Sequence, residues 1–280
     1  MRSSEWLITA YFLYCAGCSL FMDVRAGIAP VTVTVNALVI TGLVLLAYAE
    51  NLRHHAVLKI MRDWYPLPLM LLAYREMGWF APAVHHYKYE AGWVAWDRIV
   101  LNHWHLRAFI ESLGPLLPSL LEISYSLVYT IAPFCMGWLY YRRKMERMDT
   151  FVLVFLTGIY GSYLLFPFFP SEPPRSVFPD ADLPGVMTVF RRFNLGLVGN
   201  YGIHLSVFPS AHCSGAFAAA FAMREILPEE PWVWRVLIVL ATSIATATVY
   251  GRYHYGADAV AGFAISLLAW AVARSRRVTL

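Results

Sequence analysis

Ile28–Ala49 reads IAPVTVTVNALVITGLVLLAYA and contains no charged side chain over twenty-two residues. At about 1.5 Å per residue such a helix rises about 33 Å, enough to cross a hydrocarbon core roughly 30 Å thick. Seven further stretches of similar character flank it, at about 5–22, 64–84, 116–140, 151–169, 209–226, 232–251 and 255–273. The weakest is 64–84, because Arg75 and Glu76 lie within it. A central charge costs about 2.5–3.5 kcal/mol on insertion scales, so this helix is expected to end early or to let Arg75 snorkel outward.

Composition agrees with that reading. The 280 residues are 59% hydrophobic and 14% charged, with a mean hydropathy of +0.53, whereas a soluble domain carries roughly 25% charged residues. The expectation is an all-α, polytopic membrane helix bundle of about eight transmembrane helices. It forms one integral membrane domain over 1–280, with residues 1–50 as accessory N-terminal helices and a core over about 116–273. The net charge of +4 sits beside the apolar stretches rather than on one basic surface, which argues for membrane orientation and against nucleic-acid binding. No protein partner is implied. Of the four cysteines, Cys15 and Cys18 have C-x-x-C spacing but lie in an apolar stretch without a second Cys/His pair, so packing is expected. Cys at the first position of Cys15-Ala16-Gly17-Cys18, and Glu5 upstream, argue against lipoprotein processing.

Eight spans place both termini on one side. Thirteen Lys and Arg residues fall on that side and eight on the other, so the termini are expected in the cytoplasm. Short loops and compact size fit a bacterial inner membrane. Two long segments, 85–115 and 170–208, then lie outside. In the first, Trp93, Trp96, Val100 and Trp104 recur at helical spacing beside Asp97, Arg98 and His105, the pattern of an amphipathic helix in the headgroup layer.

Three segments bring ionisable residues to span ends on that outer face: Phe168-Phe169-Pro170-Ser171-Glu172-Pro173-Pro174-Arg175, Phe208-Pro209-Ser210-Ala211-His212, and Gly251-Arg252-Tyr253-His254-Tyr255-Gly256-Ala257-Asp258. If the last helix has begun by His254, Asp258 lies one turn on and can hold one ring nitrogen, leaving the other free to attack. Ser210 is a good N-cap, placing His212 in the first turn of a helix whose free N–H groups attract anions. Arg175 and Arg252 add guanidinium groups suited to phosphate oxygens. Two histidines supply a nucleophile and a general acid, and no metal or cofactor is required.

At these residues the chain resembles the type-2 phosphatidic-acid phosphatase superfamily, particularly the branch containing inositol phosphorylceramide synthases. The resemblance covers roughly residues 60–273 and rests on Pro-Pro-Arg at 173–175, Phe-Pro-Ser-x-His at 208–212 and His-Tyr-x-x-Asp at 254–258. It implies a lipid phosphatase or phosphotransferase acting through a phosphohistidine. His254 would be the nucleophile, Asp258 its orienter, His212 the acid, and Ser210, Arg175 and Arg252 the phosphate-binding groups. Membrane lipids would be the partners. Phe168 stands where the simple phosphatases carry Lys, and Thr248 where they carry Arg. These departures point toward the synthase-like branch, in which an alcohol rather than water intercepts the phosphoenzyme.

Two other readings remain. An intramembrane serine protease would use Ser210 or Ser214 with His212 and His254, although no flanking glycine turn is present. A non-catalytic lipid transporter or binding protein would show inverted repeats with broken helices, and none is apparent. His85-His86 and His103-x-His105 lack the spacing of a metal cage.

Overall fold

The computed structural model describes residues 1–22, 24–80, 88–179, 182–203, 205 and 207–277. Among them the chain is helical throughout: α1 (Ser3–Phe21), α2 (Ile28–Arg53), α3 (Ala56–Trp64), α4 (Pro66–Met77), α5 (Glu90–Arg98), α6 (Leu106–Glu111), α7 (Leu116–Tyr141), α8 (Met148–Tyr163), α9 (Pro174–Val177), α10 (Val189–Tyr201), α11 (Ala211–Ile226), α12 (Pro231–Tyr250) and α13 (Gly256–Arg277).

Four helices are long and apolar enough to cross a membrane: α2, α7, α12 and α13, the last over Gly256–Arg276. They coincide with four of the eight predicted spans. The rest are shorter or divided. Helices α8 and α11 have 16 residues each, roughly 24 Å of rise. At the start of the predicted span 64–84, Pro66, which has no N–H to continue a helix, opens α4 after α3 has ended at Trp64. Helix α4 then ends at Met77, and Arg75 leaves the bundle to donate to the Tyr201 carbonyl at 3.0 Å. Among the described residues, four of the eight expected spans are thus helices long and apolar enough to cross a membrane.

Helix α11 is the centre of the bundle. Cys213 through Met223 are buried without interruption, so protein rather than lipid surrounds this helix and an amphipathic stripe is not needed. Its neighbours are α7, α8, α12 and α13, and small residues permit their approach. A Cβ on Gly158 would fall 2.6 Å from the Ala218 Cβ, and one on Gly262 would fall 2.4 Å from the Ser210 carbonyl oxygen. These contacts set the spacing of the helices that carry His212 and Asp258.

The N-terminal helices pack on α8 and are locked at one end of the bundle. Arg62 pairs with Glu5 at 2.7 Å, and the Ser3 and Ser4 amides donate to Asp149, each at 3.0 Å. The polar groups at the C-terminal end of α8 and the N-terminal ends of α11 and α13 gather at the opposite end. The four cysteines are free, Cys15 within the apolar core.

The segment expected as one amphipathic helix is divided. α5 gives way to a π-helical stretch, Ile99–His103, and His105 adopts a left-handed conformation (φ 58°) before α6. Trp96 and Trp104 remain exposed, but Trp93 turns inward and stacks on Phe208. Asp97 is likewise buried rather than facing headgroups. His85 and His86 lie outside the described residues.

Candidate active site

Helix α12 ends where Thr248 O accepts from the amides of both Tyr253 (2.9 Å) and His254 (3.0 Å). The intervening Arg252 is left-handed, with φ 61°. This tight turn returns the chain into α13 at Gly256. His254 therefore precedes α13 instead of lying one turn up its face, a correction to the expected geometry. The contact with Asp258 survives nonetheless. Asp258 sits in the first turn of α13, and its Oδ2 accepts from the Tyr255 amide at 3.0 Å while lying 3.1 Å from His254 Nδ1. One oxygen thus caps the helix and orients the imidazole.

His212 comes from the neighbouring helix. Ser210 is its N-cap, accepting from the Cys213 amide at 3.4 Å, and its own amide donates to the Asp258 carbonyl at 3.0 Å. That bond ties the start of α11 to the start of α13. As a result His212 Nδ1 lies 3.4 Å from His254 Nε2. With Nδ1–H of His254 directed at Asp258, Nε2 is the lone-pair nitrogen, and the Nδ1–H of His212 can face it. Burial, reinforced by the Arg175 guanidinium, holds the His254 imidazole well below its ordinary range, at about 3, and the Val207 carbonyl offsets this only in part. The ring is neutral at ordinary pH.

The two arginines differ. Arg175, from α9, donates its backbone N–H to the Arg252 carbonyl at 3.2 Å and Nη1 to the Tyr253 carbonyl at 3.4 Å, with its guanidinium over the Tyr253 ring. Burial lowers its pKa, and it makes no carboxylate ion pair among the described residues. Arg252, by contrast, is bound to Asp97 at 2.6 Å, with both side chains buried. Its Nε and Nη2 have no hydrogen-bond partner. Asp97 Oδ1 also accepts from the Gly256 amide at 2.9 Å. Despite the adjacent Arg252, burial raises the Asp97 pKa above the usual carboxylate range.

Three contributors were not singled out from sequence: Asp97 as a buried partner of Arg252, Glu122 of α7, and the Tyr125–Tyr253 pair. Glu122 accepts from Tyr253 Oη at 2.7 Å and Arg191 Nη1 at 2.9 Å. Tyr125 stacks on Tyr253 at 4.2 Å and on His212 at 5.2 Å between ring centres. A carboxylate inside the otherwise apolar stretch 116–140 was the available signal, since such residues are rare in spans without a role.

The serine hydroxyls are engaged away from the histidines. Ser210 caps α11, and Ser214 Oγ lies 2.8 Å from Ser162 Oγ while donating to the Ala211 carbonyl at 3.3 Å. The positions that depart from the phosphatase pattern are also placed. Phe168 is exposed, and the Thr248 hydroxyl donates to the Ala245 carbonyl beside Cys213. No group of three His, Cys, Asp or Glu side chains converges as a metal site among the described residues.

A neutral imidazole with an oriented lone pair, a second imidazole facing it and a guanidinium without a carboxylate partner among the described residues can together carry out nucleophilic transfer of an anionic group. A model of the PAP2 superfamily matches residues 93–272, which span all of these groups. No curated protein and no solved structure matches the chain.

Proposed function

The chain belongs to the PAP2 superfamily, and from that premise we propose that it is a membrane lipid-phosphate phosphatase or phosphotransferase working through a phosphohistidine on His254. His254 Nε2 attacks phosphorus as the bond to the leaving oxygen breaks. His212, which must take up a proton as the anionic substrate enters, gives that proton to the leaving oxygen and becomes neutral, and Asp258 stabilises the charge that develops on the His254 ring. In the second half, His212 takes a proton from water or an alcohol as its oxygen attacks phosphorus and frees His254. Arg175 grips the phosphoryl oxygens, with the two unpartnered nitrogens of Arg252 and the cap at Ser210 as further contacts. In the unliganded arrangement the two imidazoles face one another, so an entering phosphoryl group must separate them.

The observation that carries this reading is the His212–His254–Asp258 chain beside a half-buried Arg175 that has no carboxylate partner among the described residues. A cation so placed favours an anionic guest, and lipid phosphates are what the family acts on. The engaged serine hydroxyls disfavour a serine nucleophile. Phe168 and Thr248 in place of basic residues favour transfer to an alcohol, as in the synthase-like branch, over simple hydrolysis. The excess of Lys and Arg on the side of the termini, counted for eight spans, supports a site on the periplasmic or extracellular face of the membrane.

The test is direct. Purified protein in detergent, with chelator present, is incubated with labelled lipid phosphates and phospholipids, with and without inositol or ceramide, and products are identified by mass spectrometry. Phosphate release or headgroup transfer, inhibition by orthovanadate, and loss of an acid-labile phosphoenzyme in His254→Ala are expected. Undiminished activity in His254→Ala would refute the assignment.

A further inference from the structure

Glu122 lies in α7, outside all three segments that carry the site, and is 2% exposed. It is nevertheless the most heavily bonded carboxylate near the histidines. Oε2 accepts from Tyr253 Oη and Asn194 Nδ2, both at 2.7 Å, and Oε1 accepts from Arg191 Nη1 at 2.9 Å. Ser126 donates to Asn194 Oδ1 at 2.6 Å, and Arg191 Nη1 also reaches the Gly251 carbonyl at 3.1 Å. Two of the three donors facing Glu122, Asn194 and Arg191, are therefore held from a second side, and charge-assisted bonds of this kind are about twice as strong as neutral ones.

The consequence of this network is the position of one ring. Tyr253 is gripped at its hydroxyl by Glu122, and its face packs on Tyr125 at an interplanar angle of 17°. Tyr125 in turn packs on His212 at 25°. The guanidinium groups of Arg175 and Arg191 lie 5.6 Å and 5.8 Å from the Tyr253 ring centre. Phenol, phenol and imidazole thus form one stack beside these cations, and among the described residues the Glu122–Tyr253 bond anchors it to a charged group of α7. An imidazole that must deliver a proton in the transition state needs its ring plane fixed in advance, because small misplacements near the reacting atoms cost large factors in rate.

We propose that Glu122 is a positioning residue which, through the Tyr253 hydroxyl and the Tyr125 ring, fixes the plane of His212 for proton delivery to the leaving group. The inference rests on the reading of His212 as the general acid. Glu122→Gln preserves size but sets an amide N–H₂ against either Arg191 or the Tyr253–Asn194 pair. Tyr253→Phe removes one oxygen and leaves the Glu122–Arg191 ion pair intact, so it serves where Glu122→Gln fails to fold.

Two substrates separate positioning from general damage. A long-chain alkyl phosphate has a poor leaving group that needs the proton. A nitrophenyl phosphate bearing the same chain on its ring expels a stabilised phenolate that does not. In the folded, monodisperse fraction, Tyr253→Phe and Glu122→Gln should each lower kcat on the alkyl phosphate about tenfold or more and on the aryl phosphate by less than threefold. Glu122→Asp should recover part of the alkyl activity. Equal losses on the two substrates, or no loss on either, would overturn the positioning role while wild-type turnover upheld the phosphoryl-transfer reading. Wild-type protein inert on both would sink that reading and the inference with it.

Discussion

Arg252 donates to the Asp97 carboxylate at 2.6 Å, and the two side chains are 1% and 3% exposed. The same carboxylate accepts from the Gly256 amide, so a helix of the 85–115 segment grips the His254 turn on both of its flanks. A buried pair of this kind adds little over apolar packing, but breaking it strands a charge.

Asp97→Ala should therefore lower stability by about 3–5 kcal/mol, the usual cost of leaving one buried charge unpaired. Replacing both partners, with Asp97→Leu and Arg252→Met, should cost less than Asp97→Ala alone. Thermal unfolding midpoints in one detergent measure both variants. If the single substitution proves the milder of the two, Arg252 has another counter-charge and the described pair is not what holds the turn.

The spacing of α11 and α13 is the second exposed dependency. A Cβ at Gly262 would meet the Ser210 carbonyl at 2.4 Å and the Cys213 Cβ at 3.1 Å, whereas one at Gly42 in α2 would meet nothing within 4 Å. Gly262→Ala forces the two helices apart at the level where the Ser210 amide bonds Asp258. It should cost about 1–3 kcal/mol as an overpacked contact, with loss of turnover. Gly42→Ala should be neutral, or stabilising by about 0.5–1 kcal/mol, because it removes the extra backbone freedom of a helical glycine. Equal melting behaviour of the two variants would show that α11 and α13 do not approach so closely.

Much of this arrangement is legible in the chain, and the exceptions have physical reasons. Leu116–Tyr141 and Pro231–Tyr250 follow from apolar runs too long for any soluble element. The meeting of His212, His254 and Asp258 follows from ionisable residues at span ends. In the 64–84 segment the early end and the outward turn of Arg75 were legible from the charges at Arg75 and Glu76, whereas the start of α4 at Pro66, whose missing N–H separates it from α3, was not singled out. Asp97 and Glu122 were not assigned because their partners lie 155 and 131 residues away. A local pattern shows that a carboxylate is buried, but not what it binds. The two-residue offset of His254 from α13 was hidden as well, since the i,i+4 spacing with Asp258 looks the same whether the histidine sits on the helix or just before it.

Asp258→Asn tests that orienting contact. An amide oxygen in the place of Oδ2 can still accept from both Tyr255 N–H and His254 Nδ1–H, but it is neutral and no longer offsets the positive charge that grows on the ring during attack. The rate should fall while lipid binding persists. By the precedent of catalytic triads, kcat should fall by roughly 10²–10⁴-fold with KM nearly unchanged. A rise in KM with kcat intact would instead make Asp258 part of the substrate-binding surface.

The protonation state of His254 makes the last prediction. Only the neutral ring is a nucleophile, and burial with Arg175 nearby holds its pKa at about 3, below an ordinary histidine value of about 6.5. Lowering the pH from 7 to 5 should therefore leave the neutral fraction almost unchanged, where an exposed histidine would be mostly protonated. The measurement needs a phosphodiester donor, because a monoester loses its second charge near a pKa of about 6 and would mask the effect. With such a donor, kcat/KM should show no acid-side fall between pH 7 and pH 5, while any rise over that range would report the proton His212 must carry. The folding linkage has the same origin: an unfolded chain takes up the proton near 6.5 and the native one does not, so stability falls as pH drops through that range toward 3. Turnover must accordingly be read on protein shown to remain folded at each pH. An acid-side fall in kcat/KM centred near 6.5 under those conditions would mean that His254 is open to water, and that Arg175 is not the charge beside it.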